Sequence, residues 1–252
     1  MPTSRLRRQH GFTLTELAVV FTIISLLLAT AMYTLSAQTE QRNFEETRRR
    51  LEAARELVQA FAVANGRLPC PATTASAGQE AGAAGACTTA YGGFLPARAV
   101  GFQIMDTAGY ALDAWGNRIR YAVSIVAPTG CTGTSTAPHF TNATNLRTNG
   151  ITCQPNDLVV CQSATGINAT SCNAATPVTN QNTLVALVFS TGKNGISGSG
   201  GIDEAANVNG DRVFVWHTPT PVGFVNGEFD DQMTWISVGE LYAKLIAAGV
   251  LP

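Results

Sequence analysis

The sequence predicts an α+β protein: one long amino-terminal helix packed on a small antiparallel β-sheet, with a disulfide-rich loop insertion and a short carboxy-terminal helix. Three observations carry that expectation. No Gly or Pro occurs between Phe12 and Asn65, short β-patterned runs follow after Trp115, and all the cysteines lie beyond Pro69.

The 252 residues are enough for one or two compact units with a proper core. Charged residues make up 13% against 45% hydrophobic, which excludes disorder driven by charge and a coiled coil. With 16 basic and 17 acidic residues, and only Lys193 and Lys244 as lysines, there is no bulk electrostatic case for a nucleic-acid partner. The six cysteines contain no CxxC pair, so three disulfides in an oxidising compartment fit better than a zinc ribbon or a redox motif.

The amino terminus carries the most information. Arg5, Arg7 and Arg8 precede His10-Gly11-Phe12-Thr13-Leu14-Thr15-Glu16, and an apolar run from Leu17 to Met32 follows, broken only by Thr22, Ser25 and Thr30. As a helix this stretch is long enough for a hydrocarbon layer of about 30 Å, and the arginines orient its start toward the cytoplasm. Three readings fit: an uncleaved anchor, a secretory signal cut after Ala31 at Ala29-Thr30-Ala31, and a specialised cleavage before the apolar run. Glu16 favours the third, because a carboxylate in a membrane helix is costly and needs a partner, which a plain signal has no use for.

Gly11-Phe12-Thr13-Leu14-Thr15-Glu16-Leu17 resembles the cleavage and methylation signature of type IV pilins and the pseudopilins of type II secretion. The resemblance implies a pilin-like fold, a leader over 1–11, a transmembrane and filament-core helix over 12–37, and a periplasmic or extracellular globular domain over 38–252. It also implies cleavage by a prepilin peptidase between Gly11 and Phe12, methylation of Phe12, and an assembly role for Glu16. Phe12 and Glu16 share a helix face, and a neighbouring subunit's amino terminus would give the carboxylate its cation. Loss of three arginines with the leader leaves 13 bases against 17 acids.

The helix should continue to about Ala64, with ion pairs Glu45–Arg49, Glu46–Arg50 and Arg48–Glu52 and an apolar stripe of Leu51, Ala54, Leu57, Val58 and Phe61 to dock a sheet. Asn65-Gly66 ends it, and an irregular connection runs to about Tyr110. Asp113-Ala114-Trp115-Gly116-Asn117 supplies turn chemistry before a strand through Ile125, and the block is similar to a turn of the major pseudopilin, with Ala114 in place of proline. Residues 129–182 form a low-charge insertion. Nearest-neighbour pairing is one of fifteen connectivities, and it joins Cys131 to Cys153, Cys161 to Cys172 and Cys70 to Cys87. Asn142-Ala143-Thr144 and Asn168-Ala169-Thr170 match a glycosylation pattern by coincidence. Strands are expected at Thr183 to Phe189, Val213 to Trp216 and Met233 to Ile236, with a hairpin turn at Asn209-Gly210. Ser237-Val238-Gly239-Glu240 is a capping box for a last helix that stops at Gly249.

Catalytic chemistry has little material. The histidines are His10, His139 and His217, the glycine tract from Gly195 to Gly201 is neither nucleophile elbow nor phosphate loop, and Asn194 stands where a Walker motif needs Ser or Thr. Asp203, Asn207, Asn209, Asp211, Glu228, Asp230 and Asp231 gather hard oxygen ligands suited to calcium. Asp230 to Trp235 is similar to the segment beside a calcium site in related pseudopilins, which makes Asp203, Asp230 and Asp231 the candidate ligands and calcium the one candidate cofactor.

The expectation is therefore a non-enzymatic structural subunit of a type IV pilus or type II secretion pseudopilus. Its implied partners are the prepilin peptidase, other pilin or pseudopilin subunits and the inner-membrane assembly machinery. Its implied location is a single pass in the inner membrane with a periplasmic head, and the filament after assembly. One alternative is a minor pilin that initiates fibres or adheres to a surface. Another is a secreted or anchored protein cut after Ala31.

Overall fold

The computed structural model describes residues 13–83, 85–131, 137–195 and 200–251, apart from the side chains of residues 30–36. It is an α+β chain that divides into compact units at Met1–Phe44 and Glu45–Pro252. Helix α1, Leu14–Asn65, runs through the boundary.

In the first unit the described side chains are exposed along the apolar run, Phe21 by 62% and Leu26 by 70%. Among the described residues no helix is long and apolar enough to cross a membrane. The span expected over 12–37 is thus not found among the described residues, which leave out residue 12 and the side chains of 30–36.

The second unit is built on the far half of α1. Leu51, Ala54, Val58 and Ala62, spaced three and four apart, are buried, while Leu57 and Phe61 pack at the rim. They meet a four-stranded antiparallel sheet made of β3 (Gly93–Phe94), β4 (Arg120–Val123), β6 (Leu184–Ser190) and β8 (Gln232–Ser237), in the order β3-β4-β6-β8. Its register sets Tyr121 beside Gly93 and Val188, and Leu187 beside Trp235. Tyr121, Val123, Val185, Val188 and Ile236 face α1, and helix α5 (Val238–Ala247) adds Leu241 and Leu245 to that layer. Against the other face Phe189 and Leu187 pack on Phe214, Leu158 and Val160. Val160 and Phe214 belong to a two-stranded sheet of β5 (Val159–Cys161) and β7 (Val213–Val215), and Leu158 immediately precedes β5. The central strand β6 is thus buried on both faces, which is why it reads as an unbroken apolar run.

Several expectations are corrected. The β5–β7 pair is parallel and separate from the main sheet, so the β-structure is not one antiparallel sheet. Asn209-Gly210 is no hairpin turn, because helix α4 (Ile202–Val208) precedes it and Asn209 caps that helix. The connection before Tyr110 holds a small hairpin of β1 (Gly82–Ala83) and β2 (Ala86–Cys87) and the one-turn helix α2 (Ala97–Val100). Glu52 pairs with Arg55 at 2.9 Å rather than with Arg48, while Glu46 and Arg50 pair at 2.9 Å as their spacing suggests. Ser237 caps α5 by accepting from the Glu240 amide, but the Glu240 carboxylate does not return the bond. It accepts instead from Arg55 and Gln59 of α1, exchanging half of a local capping box for a tertiary tie.

Disulfides join Cys70 to Cys87, Cys131 to Cys153 and Cys161 to Cys172. They close segments with short strands and turns, including helix α3 (Ala143–Asn149), whose cap Asn142 accepts from the Thr144 and Asn145 amides. The glycosylation-like triplet there is a helix start. Asp113 holds its own turn by accepting from the Trp115 and Asn117 amides at 2.9 and 2.8 Å and from the Ser190 hydroxyl at 2.6 Å. From the other side α1 grips the same turn: Arg50 donates to the Asp113 carbonyl at 2.7 Å, and the Ala114 amide donates to Thr47.

His139 is fully buried, its Nε2 lying 3.3 Å from the Tyr242 hydroxyl, which itself donates to the Cys153 carbonyl at 2.6 Å. With that hydroxyl proton committed, it is Nε2 that carries the hydrogen of this contact. Burial pushes His139 down to about 4 from its ordinary 6.5. The unfolded chain binds this proton near 6.5 and the folded chain only near 4, so the contribution is complete above 6.5 and lost as pH falls through that window. The buried carboxylates Asp113 and Asp230 are shifted up and act in the opposite direction, so the measurement is a difference. Between pH 7 and 4.5 the wild type should lose up to about 3 kcal/mol of unfolding free energy relative to His139→Gln, read by urea denaturation. Parallel profiles would show that His139 carries no such linkage.

Candidate functional site

Three buried carboxylates come together in the second unit. Glu204 projects from the first turn of α4, and Asp230 and Asp231 precede β8, with one oxygen from each within 4.8 Å of the others. Glu204 and Asp231 border a cavity of about 100 Å3 that Thr191, Gly195, Gly200 and Gly201 also line. Backbone closeness shapes it: Gly192 has φ +62°, and a Cβ there would stand 1.7 Å from Asp230 Oδ1. Gly192 also connects outward, because its carbonyl accepts from the Asn117 amide at 2.6 Å, tying the cavity to the Asp113 turn.

The hydrogen bonds are asymmetric. Glu204 accepts from the Asp230 amide at 2.8 Å and the Asn194 amide group at 2.7 Å; Asp230 Oδ2 accepts from the Lys193 amide; Asp231 Oδ2 accepts from Asn207 at 2.7 Å. Asp230 Oδ1, Asp231 Oδ1 and the Thr191 hydroxyl are buried with no partner. Burial, reinforced by the Glu204 charge, pushes Asp230 up to about 7, and burial raises Asp231 and Glu204 as well. Three clustered carboxyl groups, two of them with a bare oxygen, fit a hard cation, held by Glu204, Asp230 and Asp231 with Thr191 beside them. An oxygen-only donor set suits calcium or manganese rather than zinc.

Of the ligands expected from sequence, Asp230 and Asp231 are in this cluster and Asp203 is not. Consecutive residues on a helix point about 100° apart, so Asp203 faces a different side of α4 from Glu204. It accepts there from the Ala164 amide, Ser163, Asn226 and His217. Asn209 and Asp211 bond one another in an exposed turn. Glu204 stood unchosen in the sequence because its neighbour is also acidic and nothing in the spacing told the two apart. The Ser163 hydroxyl donates to the Asp203 carboxylate at 3.3 Å.

At the start of α1, Thr13 and Glu16 form a reciprocal cap. The Thr13 amide and hydroxyl both donate to Glu16 Oε2, at 2.9 and 2.8 Å, and the Glu16 amide donates to the Thr13 hydroxyl at 3.3 Å. Thr13-Leu14-Thr15-Glu16 is itself a capping-box sequence, a signal that was available beside the cleavage motif. Further along, Thr22 donates to the Ala18 and Val19 carbonyls and Ser25 to the Thr22 carbonyl, so these two hydroxyls are satisfied within the helix. Gly11 and Phe12 lie outside the described residues.

Residues 6–32 match the model of the prokaryotic N-terminal methylation motif. The chain carries a prepilin-type amino terminus. No curated protein and no solved structure matches it. The match begins in the basic head, includes Gly11, Phe12 and Glu16, and ends at Met32 in the body of α1. It is consistent with the type IV pilin and pseudopilin family and with a substrate of prepilin peptidase.

Saturating calcium, about 100-fold above its Kd, should raise the thermal midpoint at pH 7.5 by roughly 5–10 °C and EDTA should reverse the rise. At pH 5, where protons compete for the raised carboxylates, the rise should shrink. Asp231→Asn should abolish the response while raising the midpoint without calcium, because it removes a buried charge. A midpoint indifferent to divalent cations at both pH values would leave the cluster as a purely structural one.

Proposed function

We propose that this protein is a filament subunit of a type IV pilus or type II secretion pseudopilus, and that its role is assembly rather than catalysis. The observation that carries the reading is the methylation motif over residues 6–32, continuous with a helix that is unbroken from Leu14 to Asn65. Cleavage between Gly11 and Phe12 frees the Phe12 amine, and the apolar helix remains attached to the head. Leu17 to Leu35 then rests in the inner membrane as a single pass before assembly and packs against sister helices afterwards. The hydroxyls of Thr22 and Ser25, already bonded to their own helix, make that passage less costly. Three disulfides suit a head on the oxidising side.

Glu16 has two roles in this scheme. In the isolated chain it closes the Thr13 cap, and in the filament it turns to the Phe12 amine of a neighbouring subunit, where the surroundings are apolar and an opposite charge is worth most. Cleavage after Ala31 is disfavoured by the helical backbone that continues through Ala29, Thr30 and Ala31.

Mass spectrometry of protein from cells with their native export machinery should find a mature chain beginning at N-methylated Phe12. A chain beginning at Met32 would overturn the filament reading. In the same cells Glu16→Gln should leave cleavage intact and reduce assembled filament by about tenfold or more, as loss of one desolvated charge pair implies. Normal filament from that variant would remove Glu16 from the mechanism.

A further inference from the structure

We propose that the head carries a binding pocket for a neutral saccharide on the side of α4 turned away from the carboxylate cluster. The pocket has a volume of about 380 Å3 and lies between the chain that follows β5 and the loop before β8. That size falls in the range of small-ligand sites, about 300–1,000 Å3.

Its floor is a fixed polar platform. Asp203 is only 3% exposed and accepts from the Ala164 amide at 2.5 Å, the Ser163 hydroxyl at 3.3 Å, the Asn226 amide group at 3.0 Å and His217 Nε2 at 3.2 Å. The His217 ring stacks on Phe229 with centroids 4.0 Å apart, and its Nδ1 lies 2.7 Å from the Thr218 carbonyl. Imidazole, amide and hydroxyl are therefore held in position before any ligand arrives.

The lining decides the ligand class by elimination. Among the described residues no Lys or Arg lines the pocket and the one basic ring, His217, is already held on Asp203, so an anion would find no free countercharge. The single carboxylate is already ringed by four donor groups, which leaves a cation no open oxygen. A wholly apolar ligand would strand the Gln162 amide group, while the Thr165 and Thr220 hydroxyls already donate to Asn226 and the Gly227 carbonyl. What remains is a neutral molecule with many hydroxyls and one apolar face. The exposed Gln162 amide offers both donor and acceptor on one wall, while Phe224, 58% exposed, and Val225 stand on the other. An aromatic ring packs against the C–H face of a pyranose while amides and hydroxyls bond its rim. The inference does not depend on filament assembly or on the cation.

The test is saturation-transfer NMR with titration on the full-length chain in lauryldimethylamine oxide, a detergent without a sugar headgroup. The probes are lactose, maltose, cellobiose and N,N′-diacetylchitobiose, with sialyllactose and glucosamine as charged controls. At least one neutral disaccharide should bind more tightly than either control. Phe224→Ala and Gln162→Ala should each weaken it by about tenfold or more with no change in thermal midpoint, since both side chains are exposed. Silence from all four neutral sugars, tighter binding of a charged control, or undiminished binding by either variant would overturn the proposal.

Discussion

The globular unit depends on one packing contact: the stripe Leu51, Ala54, Val58 and Ala62 of α1 against the face of β4, β6 and β8. Two of the four are alanines, which lets the helix backbone approach the sheet closely while Leu51 and Val58 fill the space beside Tyr121 and Val188. Truncating either large residue to Ala would remove about 2–5 kcal/mol, a large part of the stability of an ordinary domain. Because these residues sit on the helix that continues from the methylation motif, the head is built on the same element that would enter a filament.

From that contact polar ties spread outward in order. Thr47 and Arg50 of α1 hold the turn at Asp113, Asn117 of that turn holds the Gly192 carbonyl, and the Lys193 amide holds Asp230. The carboxylate cluster is thus joined to α1 through three short steps, each made by part-buried hydrogen bonds. A cation there would act on the loop between β6 and α4, and hence on the far end of the same chain of bonds.

The two faces of α4 show how one short helix divides its chemistry. Glu204 turns toward Asp230 and Asp231, whose bare oxygens leave charge uncompensated. Asp203 turns to donors that satisfy it completely. Adjacent acids of the same charge thereby reach opposite states, one poised for a cation and the other a scaffold for neutral polar groups. Burial supplies the energetic difference, since it raises the cost of any carboxylate lacking a donor or a cation.

The sequence by itself determined what is local: the long helix from its freedom from Gly and Pro, its apolar stripe from three- and four-residue spacing, the strands expected at 183–189 and 233–236, the Ser237 cap, and the motif around Gly11, Phe12 and Glu16. Each of these rests on neighbours a few residues apart, so periodicity and capping chemistry expose it. Only the tertiary structure decided what depends on partners far along the chain. It paired β5 with β7 in parallel across the insertion, took Glu240 from its cap to Arg55 and Gln59, and chose Glu204 over Asp203 for the carboxylate cluster. Those outcomes follow from helix rotation, strand neighbours and burial, which are properties of the folded arrangement and leave no periodic trace in the residues themselves.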